Sequence, residues 1–210
     1  FVGLEDARIV RWDGKLYICG VRRDLDTIGT GRMELSEIEI TDDGVKEINQ
    51  YRIPTPVDKN SYCEKNWMPI LDKPFHYVKW MNPVEVVYFN GTNTHTVKLN
   101  NYTLPLIKDL RGGSQVVRIG NNYYCVAHET NLWKNRLNQK DATYRHKIVQ
   151  FDLEFNITKY SDEFSIMDGL IEFSCGLANI GNWVYITFGV EDNVAYALKI
   201  SLSHFYSLLK

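Results

Sequence analysis

The chain has 210 residues with 24 Lys and Arg against 26 Asp and Glu, which gives a formal net charge of −2. That balance excludes the basic surface that binding to nucleic acid or to an anionic membrane requires. No apolar stretch approaches the roughly 20 residues that span a bilayer, so we expect a soluble chain with no membrane partner. Hydrophobic residues make up 44% and aromatic residues 13%, a composition typical of a globular protein rich in β-strands.

Short alternating or apolar runs separated by turn signals dominate the chain, and helical periodicity is nearly absent. The first unit contains four strand candidates, with hairpin turns predicted at Asp13-Gly14 and within the segment TDDG. In chain order the candidates are ARIVRW, KLYICGVRR, ELSEIEI and VKEINQYRI. These features predict a four-stranded antiparallel sheet.

The same organisation recurs along the rest of the chain. The later candidates are NWMPIL, FHYVKW, VEVVYFN and HTVKLN; SQVVRIG, YYCVAHE, YRHKIVQFD and FNITKY; and FSCGLANIG, NWVYITFGV and VAYALKIS. A turn is predicted at Asn121-Asn122 in the third unit. Successive units start at Glu5, Glu64, Arg111 and Glu172, separated by 59, 47 and 61 residues. A recurrence of four-stranded units predicts an all-β fold of the β-propeller type.

A β-sandwich also contains regularly spaced strands, so it is the alternative fold. We prefer the propeller because polar or charged residues stand at the start of the innermost strand of each unit. These are Glu5-Asp6, Glu64 to Asn66, Arg111 and Glu172. In a propeller such positions converge at one end of the axis, whereas a sandwich would scatter them. The count of about four units, the last one short, leaves two architectures open: a four-bladed ring, or a ring whose first blade lies upstream of Phe1.

Domain organisation is predicted to be simple, because no linker rich in Pro, Gly or Ser interrupts the chain. We predict a single propeller domain over residues 1–210, with residues 201–210 as a C-terminal tail that forms a helix or an extension. The four cysteines lie far apart with no metal-like spacing, which favours buried free thiols. Three N-x-[ST] sequons are close to the number expected by chance, so they do not indicate secretion and a cytoplasmic location is favoured.

Several motifs carry a resemblance to a known family. They are GLEDARIVRWDGKLYICGVRRD (Gly3–Asp24), EKNW (Glu64–Trp67), RGGSQ (Arg111–Gln115), HE (His128-Glu129), YRH (Tyr144–His146) and IEFSCGLA with FGVED (Ile171–Asp192). Together they resemble the five-bladed propellers of glycoside hydrolase family 130, the β-mannoside phosphorylases and hydrolases. They resemble equally the related propellers attached to bacterial and viral glycosyltransferases. The resemblance runs over nearly the whole chain and implies a five-bladed type whose first blade is missing here.

The resemblance also implies residue roles. The family's first inner strand commonly reads E-D-P-R, and its Asp is the general acid. That role falls on Asp6, with Arg8 as a neighbouring substrate or phosphate contact, although Ala7 stands where the family has Pro. The family binds phosphate with Lys, Arg and His side chains of the channel.

The implied phosphate ligands in this chain are Lys65, Arg111 and His128. Of these, the Lys of the EKN turn is the one that matches a family motif closely. Inorganic phosphate is therefore an expected co-substrate, and we predict no other cofactor.

The residues themselves are compatible with glycoside chemistry. Cleavage of a glycosidic bond requires a carboxylic acid that protonates the leaving oxygen, together with an activated water or an external nucleophile such as phosphate. Asp6 at a strand start can project into an axial funnel beside Glu5 and Glu64, and neighbouring carboxylates help one member of such a group to hold a proton. The alternative is that Asp6 only forms a salt bridge with Arg8.

Other polar side chains are predicted to bind sugar or phosphate. The full predicted set is Glu5, Arg8, Glu64, Lys65, Asn66, Arg111, Ser114, Gln115, His128, Glu172 and Asp192. Glu172 and Asp192 are candidates for a second acid or base or for a calcium-like ligand, but no metal motif is present, so we predict no metal.

For several residues the sequence leaves open whether they bind a ligand or only support the fold. Trp67 serves either as a stacking wall or as part of the core between blades, with the core favoured. The glycines Gly112 and Gly113 serve either a close approach to the ligand or a tight bend. His128 is either a site residue or a hydrogen-bonded structural group, as single histidines in strands usually are.

Two functions from different classes remain after these observations. The first is a glycoside phosphorylase or hydrolase that acts on a β-linked, mannoside-like sugar with inversion, with phosphorolysis slightly favoured. The second is a non-catalytic glycan-binding module that accompanies a glycosyltransferase. An oligosaccharide or glycan is the expected partner in both, and an adjoining glycosyltransferase domain or a homo-oligomer formed through open strand edges is a further expectation.

Overall fold

The structure is a computed structural model that describes residues 3–23, 29–56, 61–105, 109–134, 136–138 and 140–210. Asp24, the last residue of the first motif, lies outside the described residues. Blade 1 consists of β1 (Glu5–Trp12), β2 (Lys15–Arg23), β3 (Gly31–Thr41) and β4 (Gly44–Arg52), paired antiparallel in chain order. Its first hairpin turns at Asp13-Gly14, where both residues have positive φ angles of 50° and 80°. Those angles suit the two-residue turn that Asp-Gly predicts.

The remaining strands form three further sheets. Blade 2 contains β5 (Met68–Pro69), β6 (His76–Met81), β7 (Val84–Phe89) and β8 (Thr94–Leu99). Blade 3 contains β9 (Leu110–Arg111), β10 (Val117–Ile119), β11 (Asn122–Lys134), β12 (Lys140–Phe151) and β13 (Ile157–Tyr160). Blade 4 contains β14 (Glu172–Ile180), β15 (Trp183–Val190) and β16 (Val194–Ser201), followed by the helix α1 (Leu202–Ser207).

The four sheets are arranged as a β-propeller, which confirms the predicted fold class. The described residues form four blades, so the five blades of the family that the motifs resemble are not what this chain shows. The turn in blade 3 lies one residue earlier than predicted: Ile119 pairs with Asn122, which leaves Gly120-Asn121 as the turn. Gly120 takes the first turn position because its φ of 62° is open to glycine without strain.

Apolar side chains fill three of the junctions between blades. Between blades 1 and 2, Trp12 packs edge-on against Tyr77 with ring centroids 5.6 Å apart. Between blades 2 and 3, a buried cluster contains Val78 of β6 and Tyr123 of β11, and Tyr123 also stacks on Phe155 of its own blade at 4.7 Å. Between blades 3 and 4, the fully buried Phe205 of α1 joins the cluster, so the predicted tail is docked on the fold.

The junction between blade 4 and blade 1 differs from the other three. The described residues place no buried apolar cluster there, and Ile9 on β1 keeps 53% of its surface exposed. A carboxamide joins the two inner strands instead. Gln115 donates from Nε2 to the carbonyl of Ile9 at 2.7 Å and accepts the amide hydrogen of Leu177 at 2.9 Å. This junction is therefore closed by polar contacts at the axis.

Within the described part of the chain, no helix has the length and apolar character needed to cross a bilayer.

Candidate functional site

Residues from all four blades line a cavity of about 390 Å³ at one end of the propeller axis. The lining residues are Glu5, Asp6, Lys65, Asn66, Tyr144, Ile171, Phe173 and Asp192. Five of them, Glu5, Asp6, Lys65, Asn66 and Asp192, belong to the set predicted from the sequence. We call this space the axial cavity.

Asp6 lies on a β-bulge at the start of β1. Glu5 pairs with Val21 and Arg8 pairs with Cys19, so two residues of β1 stand opposite the single residue Gly20 of β2. The bulge gives Asp6 a φ of 52°, an angle that Asp adopts more readily than most residues. Bulges of this kind re-aim a side chain next to active sites, and here the half-buried Asp6 lines the axial cavity.

Arg8 supports the bulge from below the cavity. Only 1% of its surface is exposed, and its guanidinium donates to the carbonyl of Gly113 at 2.6 Å and to the backbone carbonyl of Asp6. Burial lowers the pKa of Arg8. The side chains of Arg8 and Asp6, both described, form no ion pair, so the salt bridge that the alternative interpretation required is not present. Arg8 holds the backbone of Asp6 and does not line the cavity.

The EKNW turn contributes Lys65 and Asn66 to the axial cavity. Asn66 has a φ of 62° and is 5% exposed, and its Oδ1 atom is buried without a hydrogen-bond partner among the described residues. An unpaired buried carbonyl oxygen costs free energy unless a ligand or water donates to it. Asn66 therefore lines the cavity and keeps one buried acceptor atom unused among the described residues.

The other two residues of the turn hold it in place. Trp67 is 1% exposed and packs against Tyr77 with ring centroids 6.0 Å apart, so it belongs to the core between blades 1 and 2. Its Nε1 atom donates to Glu64 at 3.1 Å, and the same carboxylate lies 3.7 Å from Nζ of Lys79. Because Glu64 is already engaged by these two donors, it supports the turn rather than lining the axial cavity.

A second space of about 380 Å³ adjoins the axial cavity and shares Lys65 and Asn66 with it. Lys79 and Arg111 also line this space, which we call the side cavity. Lys79 is paired with Glu85 at 3.1 Å and with Glu64. The side chains of Lys65 and Arg111 form no hydrogen bond or ion pair with any described residue, so two uncompensated cations face the side cavity.

The four residues that follow Arg111 in RGGSQ pack against or hydrogen-bond to other parts of the fold. A Cβ on Gly112 would lie 1.9 Å from the carbonyl oxygen of Asn66, and one on Gly113 would lie 2.3 Å from that of Val126. The glycines thus serve close packing of backbone against backbone. The Ser114 hydroxyl donates to the carbonyl of Gln115 and accepts the amide hydrogen of Val126, while Gln115 joins β1 to β14. Neither Ser114 nor Gln115 lines the axial cavity.

His128 and His146 form a directly opposed pair on β11 and β12. Burial, with smaller contributions from His146, Arg8, Arg111 and Lys65, lowers the pKa of His128 to about 3. Burial likewise lowers the pKa of His146 to about 4, against a nearby Glu172 that raises it. His128 is 2% exposed and stacks on Tyr144 at 5.0 Å. It is a neutral group behind the cavity wall and not a cation that faces phosphate.

The two buried histidines predict a fold that weakens in mild acid. Between pH 6.5 and about 4 the unfolded chain binds protons on both residues while the folded chain does not. The free energy of unfolding therefore falls with decreasing pH, on the order of 1 kcal/mol per pH unit for each histidine. Urea denaturation at pH 7, 6 and 5 measures this slope. The control is His204→Asn, at an exposed position of α1, which should show the same dependence of unfolding free energy on pH as the wild type. Equal stability at pH 7 and pH 5 would contradict the prediction.

Glu172 and Asp192 have different positions although both were predicted as acid, base or calcium-like ligands. Glu172 is fully buried and accepts the amide hydrogens of Ile166, Met167 and Gly169 at 2.7–3.0 Å, so it fixes the loop before β14. Asp192 is exposed in the turn between β15 and β16, has a φ of 50° and lines the axial cavity. Among the described residues, no three His, Cys, Asp or Glu side chains are grouped in a way that could hold a metal ion.

Three residues that line the axial cavity, Tyr144, Ile171 and Phe173, were not predicted as site residues from the sequence. Tyr144 stacks on His128, and burial raises its pKa. Phe173 packs edge-on against His128 at 5.3 Å and lies under the guanidinium of Arg8 at 5.3 Å. The available signal was their place in the motifs YRH and IEF, but alternation along a strand does not tell which of its two faces meets the axis.

Comparisons with known proteins support the fold. A scan against protein-family models finds no match, and a search of curated proteins finds none either. Among solved structures, the chain is similar to a mannose phosphorylase from Leishmania mexicana in complex with phosphate ion, at 12% identity and a TM-score of 0.57 over 97% of this chain and 69% of that one. It is also similar to a GDP-Man-dependent mannosyltransferase from Leishmania mexicana, at 15% identity and a TM-score of 0.53. That match covers 94% of this chain and 68% of the other.

A third similar structure is the β-1,2-mannobiose phosphorylase from Listeria innocua in complex with β-1,2-mannobiose, at 13% identity and a TM-score of 0.61. The match covers 98% of this chain and 60% of that one. At such low identities the likeness establishes the propeller fold and leaves function to the site.

Proposed function

We propose that the chain is a carbohydrate-active propeller that binds a β-linked, mannoside-like sugar in the axial cavity and cleaves it by phosphorolysis with inversion. The observation that carries the proposal is the meeting of Asp6, Asn66 and the aromatic rings of Tyr144 and Phe173 around one cavity beside two unpaired cations. Structural likeness to enzymes that act on mannosides is consistent with it.

The lining of the cavity suits a sugar. A pyranose ring offers apolar C–H faces that pack on aromatic rings and hydroxyl groups that pair with polar side chains. Tyr144 and Phe173 supply the rings, and the buried Oδ1 atom of Asn66 supplies an acceptor that lacks a partner among the described residues. The cavity volume of about 390 Å³ falls within the range of roughly 300–1,000 Å³ typical of ligand sites.

The side cavity suits phosphate. Lys65 and Arg111 are free of ion pairs with described residues, and Arg offers the forked donor geometry that binds phosphate in a bidentate manner. We therefore assign phosphate to Lys65 and Arg111 and remove His128 from the set that the family resemblance implied, because a histidine with a pKa of about 3 is neutral at pH 7.

The proposed reaction is an inverting displacement at the anomeric carbon. A phosphate oxygen attacks the anomeric carbon from the face opposite the glycosidic oxygen, and the bond from that carbon to the glycosidic oxygen breaks. Asp6, as a carboxylic acid, gives its proton to the departing oxygen. The products are an α-sugar 1-phosphate and the remaining saccharide with a new hydroxyl group. In a hydrolytic version, water takes the place of phosphate and Asp192 or Glu5 accepts its proton.

The test is incubation of the chain with a panel of β-linked oligosaccharides, with and without phosphate. Sugar 1-phosphate that forms only in the presence of phosphate supports the phosphorylase, and free reducing sugar supports the hydrolase. For the phosphorylase, Lys65→Gln and Arg111→Gln should each raise the KM for phosphate by about tenfold or more, because each removes a charge-assisted hydrogen bond. Lys46→Gln on the exposed strand β4 is the matched control and should leave KM unchanged.

The second candidate function is a non-catalytic glycan-binding module that assists a glycosyltransferase domain. One observation favours it: Glu5 is 47% exposed and the neighbouring junction between blades 4 and 1 lacks a buried apolar cluster of described residues, so water reaches the cavity wall. Saturable glycan binding that survives Asp6→Asn, with no product in any tube, would establish this function in place of the first.

A further inference from the structure

A third cavity, of about 210 Å³, lies between blades 1 and 2 and away from the axial cavity. Tyr17 of β2 lines it and pairs with Val10 on β1, four residues beyond Asp6. Four strand residues correspond to about 13 Å, so the cavity opens toward the opposite end of the sheets. We call it the rim cleft, defined by Tyr17, Tyr51, Phe75, Tyr88, Phe89 and Asn90.

Aromatic rings from both blades form the walls of the rim cleft. Tyr17 meets Phe75 edge-on with ring centroids 5.7 Å apart, and Tyr51 meets Phe89 edge-on at 6.5 Å. Each contact joins a residue of blade 1 to a residue of blade 2, so the cleft is held by the same packing that joins the blades. No charged side chain is among the residues that line it. The cleft is therefore built for a neutral ligand with an apolar face.

The cleft contains the carboxamide of Asn90, whose oxygen accepts the amide hydrogens of Thr92 and Asn93, and three tyrosine hydroxyl groups. The hydroxyls of Tyr17, Tyr51 and Tyr88 form no hydrogen bond with any described residue. Tyr17 is 4% exposed, and burial raises its pKa, which keeps the hydroxyl protonated and able to donate. Unpaired tyrosine hydroxyls beside aromatic faces match a ligand that carries both hydroxyl groups and C–H faces.

We propose that the rim cleft binds one neutral sugar ring, as a glycan-binding site separate from the axial cavity. Its volume lies below the roughly 300 Å³ at which sites for drug-sized ligands begin, so it admits a single ring and not a chain. The inference extends the proposed glycan specificity of the chain to a second place. It does not depend on catalysis at Asp6.

The experiment is a titration of the isotopically labelled chain with methyl β-D-mannopyranoside, followed by backbone amide chemical shifts in NMR. The amides of Phe75 and Gly91 report on the rim cleft, and those of Asn66 and Asp192 report on the axial cavity. We expect saturable shifts at Phe75 and Gly91. The double variant Tyr51→Phe and Tyr88→Phe, which keeps both rings and so keeps the packing, should weaken that binding about tenfold, because it removes two hydrogen-bonding groups.

The matched control is Tyr196→Phe on blade 4, which removes an exposed hydroxyl outside both cavities and should leave both sets of shifts unchanged. Shifts at Asn66 and Asp192 without shifts at Phe75 and Gly91 would contradict sugar binding in the rim cleft and would support sugar binding in the axial cavity. Shifts at Phe75 and Gly91 without shifts at Asn66 and Asp192 would contradict sugar binding in the axial cavity and leave the rim cleft supported. Unaltered affinity at Phe75 and Gly91 in the double variant would also overturn the assignment of the tyrosines.

Discussion

Replacement of Asp6 by Asn is expected to lower turnover by a factor of about 10² to 10⁴, the usual contribution of a general acid. The carboxamide cannot give up a proton to the departing oxygen, while its size and shape match those of the carboxylate. Asn tolerates a left-handed backbone as well as Asp does, so the bulge at a φ of 52° should persist. Turnover of β-linked oligosaccharides in the presence of phosphate and the thermal unfolding midpoint are the two measurements.

The chain offers a matched control for this variant. Asp13 has a φ of 50° in the hairpin turn between β1 and β2, so Asp13→Asn makes the same chemical change on a similar backbone away from the axial cavity. Asp13→Asn should keep full activity. Full turnover in Asp6→Asn would remove Asp6 as the acid, and a large fall of its unfolding midpoint would instead point to a structural role.

Substitution of Gly112 by Ala is expected to cost at least about 3 kcal/mol in the free energy of unfolding. The added Cβ would lie 1.9 Å from the carbonyl oxygen of Asn66 and 2.9 Å from Cγ of Met68, so the EKNW turn itself must move. Overpacking in a core usually costs about 1–3 kcal/mol, and a clash with backbone exceeds that range because no rotamer relieves it. Since Asn66 lines the axial cavity, glycan affinity should fall together with stability.

Urea denaturation compares this variant with Gly189→Ala. At Gly189 on β15 the nearest atom to an added Cβ is the carbonyl oxygen of Val194 at 3.8 Å, an ordinary contact. Gly189→Ala should therefore stay within about 0.5 kcal/mol of the wild type. Similar stabilities for the two variants would contradict the prediction and would show that the backbone at Asn66 makes room for the added methyl group.

The sheets could be predicted from the sequence because their signals are local. Turn chemistry at Asp13-Gly14, alternation along β1 and the short apolar run of β2 depend on neighbours in the chain. The recurrence of units then predicted the propeller. The same recurrence gave a count of about four units, which the four blades of the described chain match, whereas the five-bladed type that the family resemblance implied is not what this chain shows.

Some residues of the axial cavity could be predicted from the sequence, and others could not. Asp6, Lys65 and Asn66 stand where inner strands begin, and that position along the chain predicted a place near the axis. Ser114, Gln115 and Glu172 stand at comparable positions, yet they bond to backbone groups of other segments. A sequence reveals the polar group but not its partner, since the partner is set by how the blades meet.

The carboxamide of Gln115 also has a consequence for motion. Gln115 donates one hydrogen bond to β1 and accepts one from β14, and these two bonds break at a smaller cost in free energy than the separation of a packed apolar cluster. We therefore expect local opening of the ring to begin between blades 4 and 1. Because Asp6 lies on β1 and Phe173 on β14, the same opening draws the proposed acid away from one wall of its cavity. Under the proposed function, we expect this one fluctuation both to admit a bulky glycan and to disturb the alignment of Asp6 with Phe173.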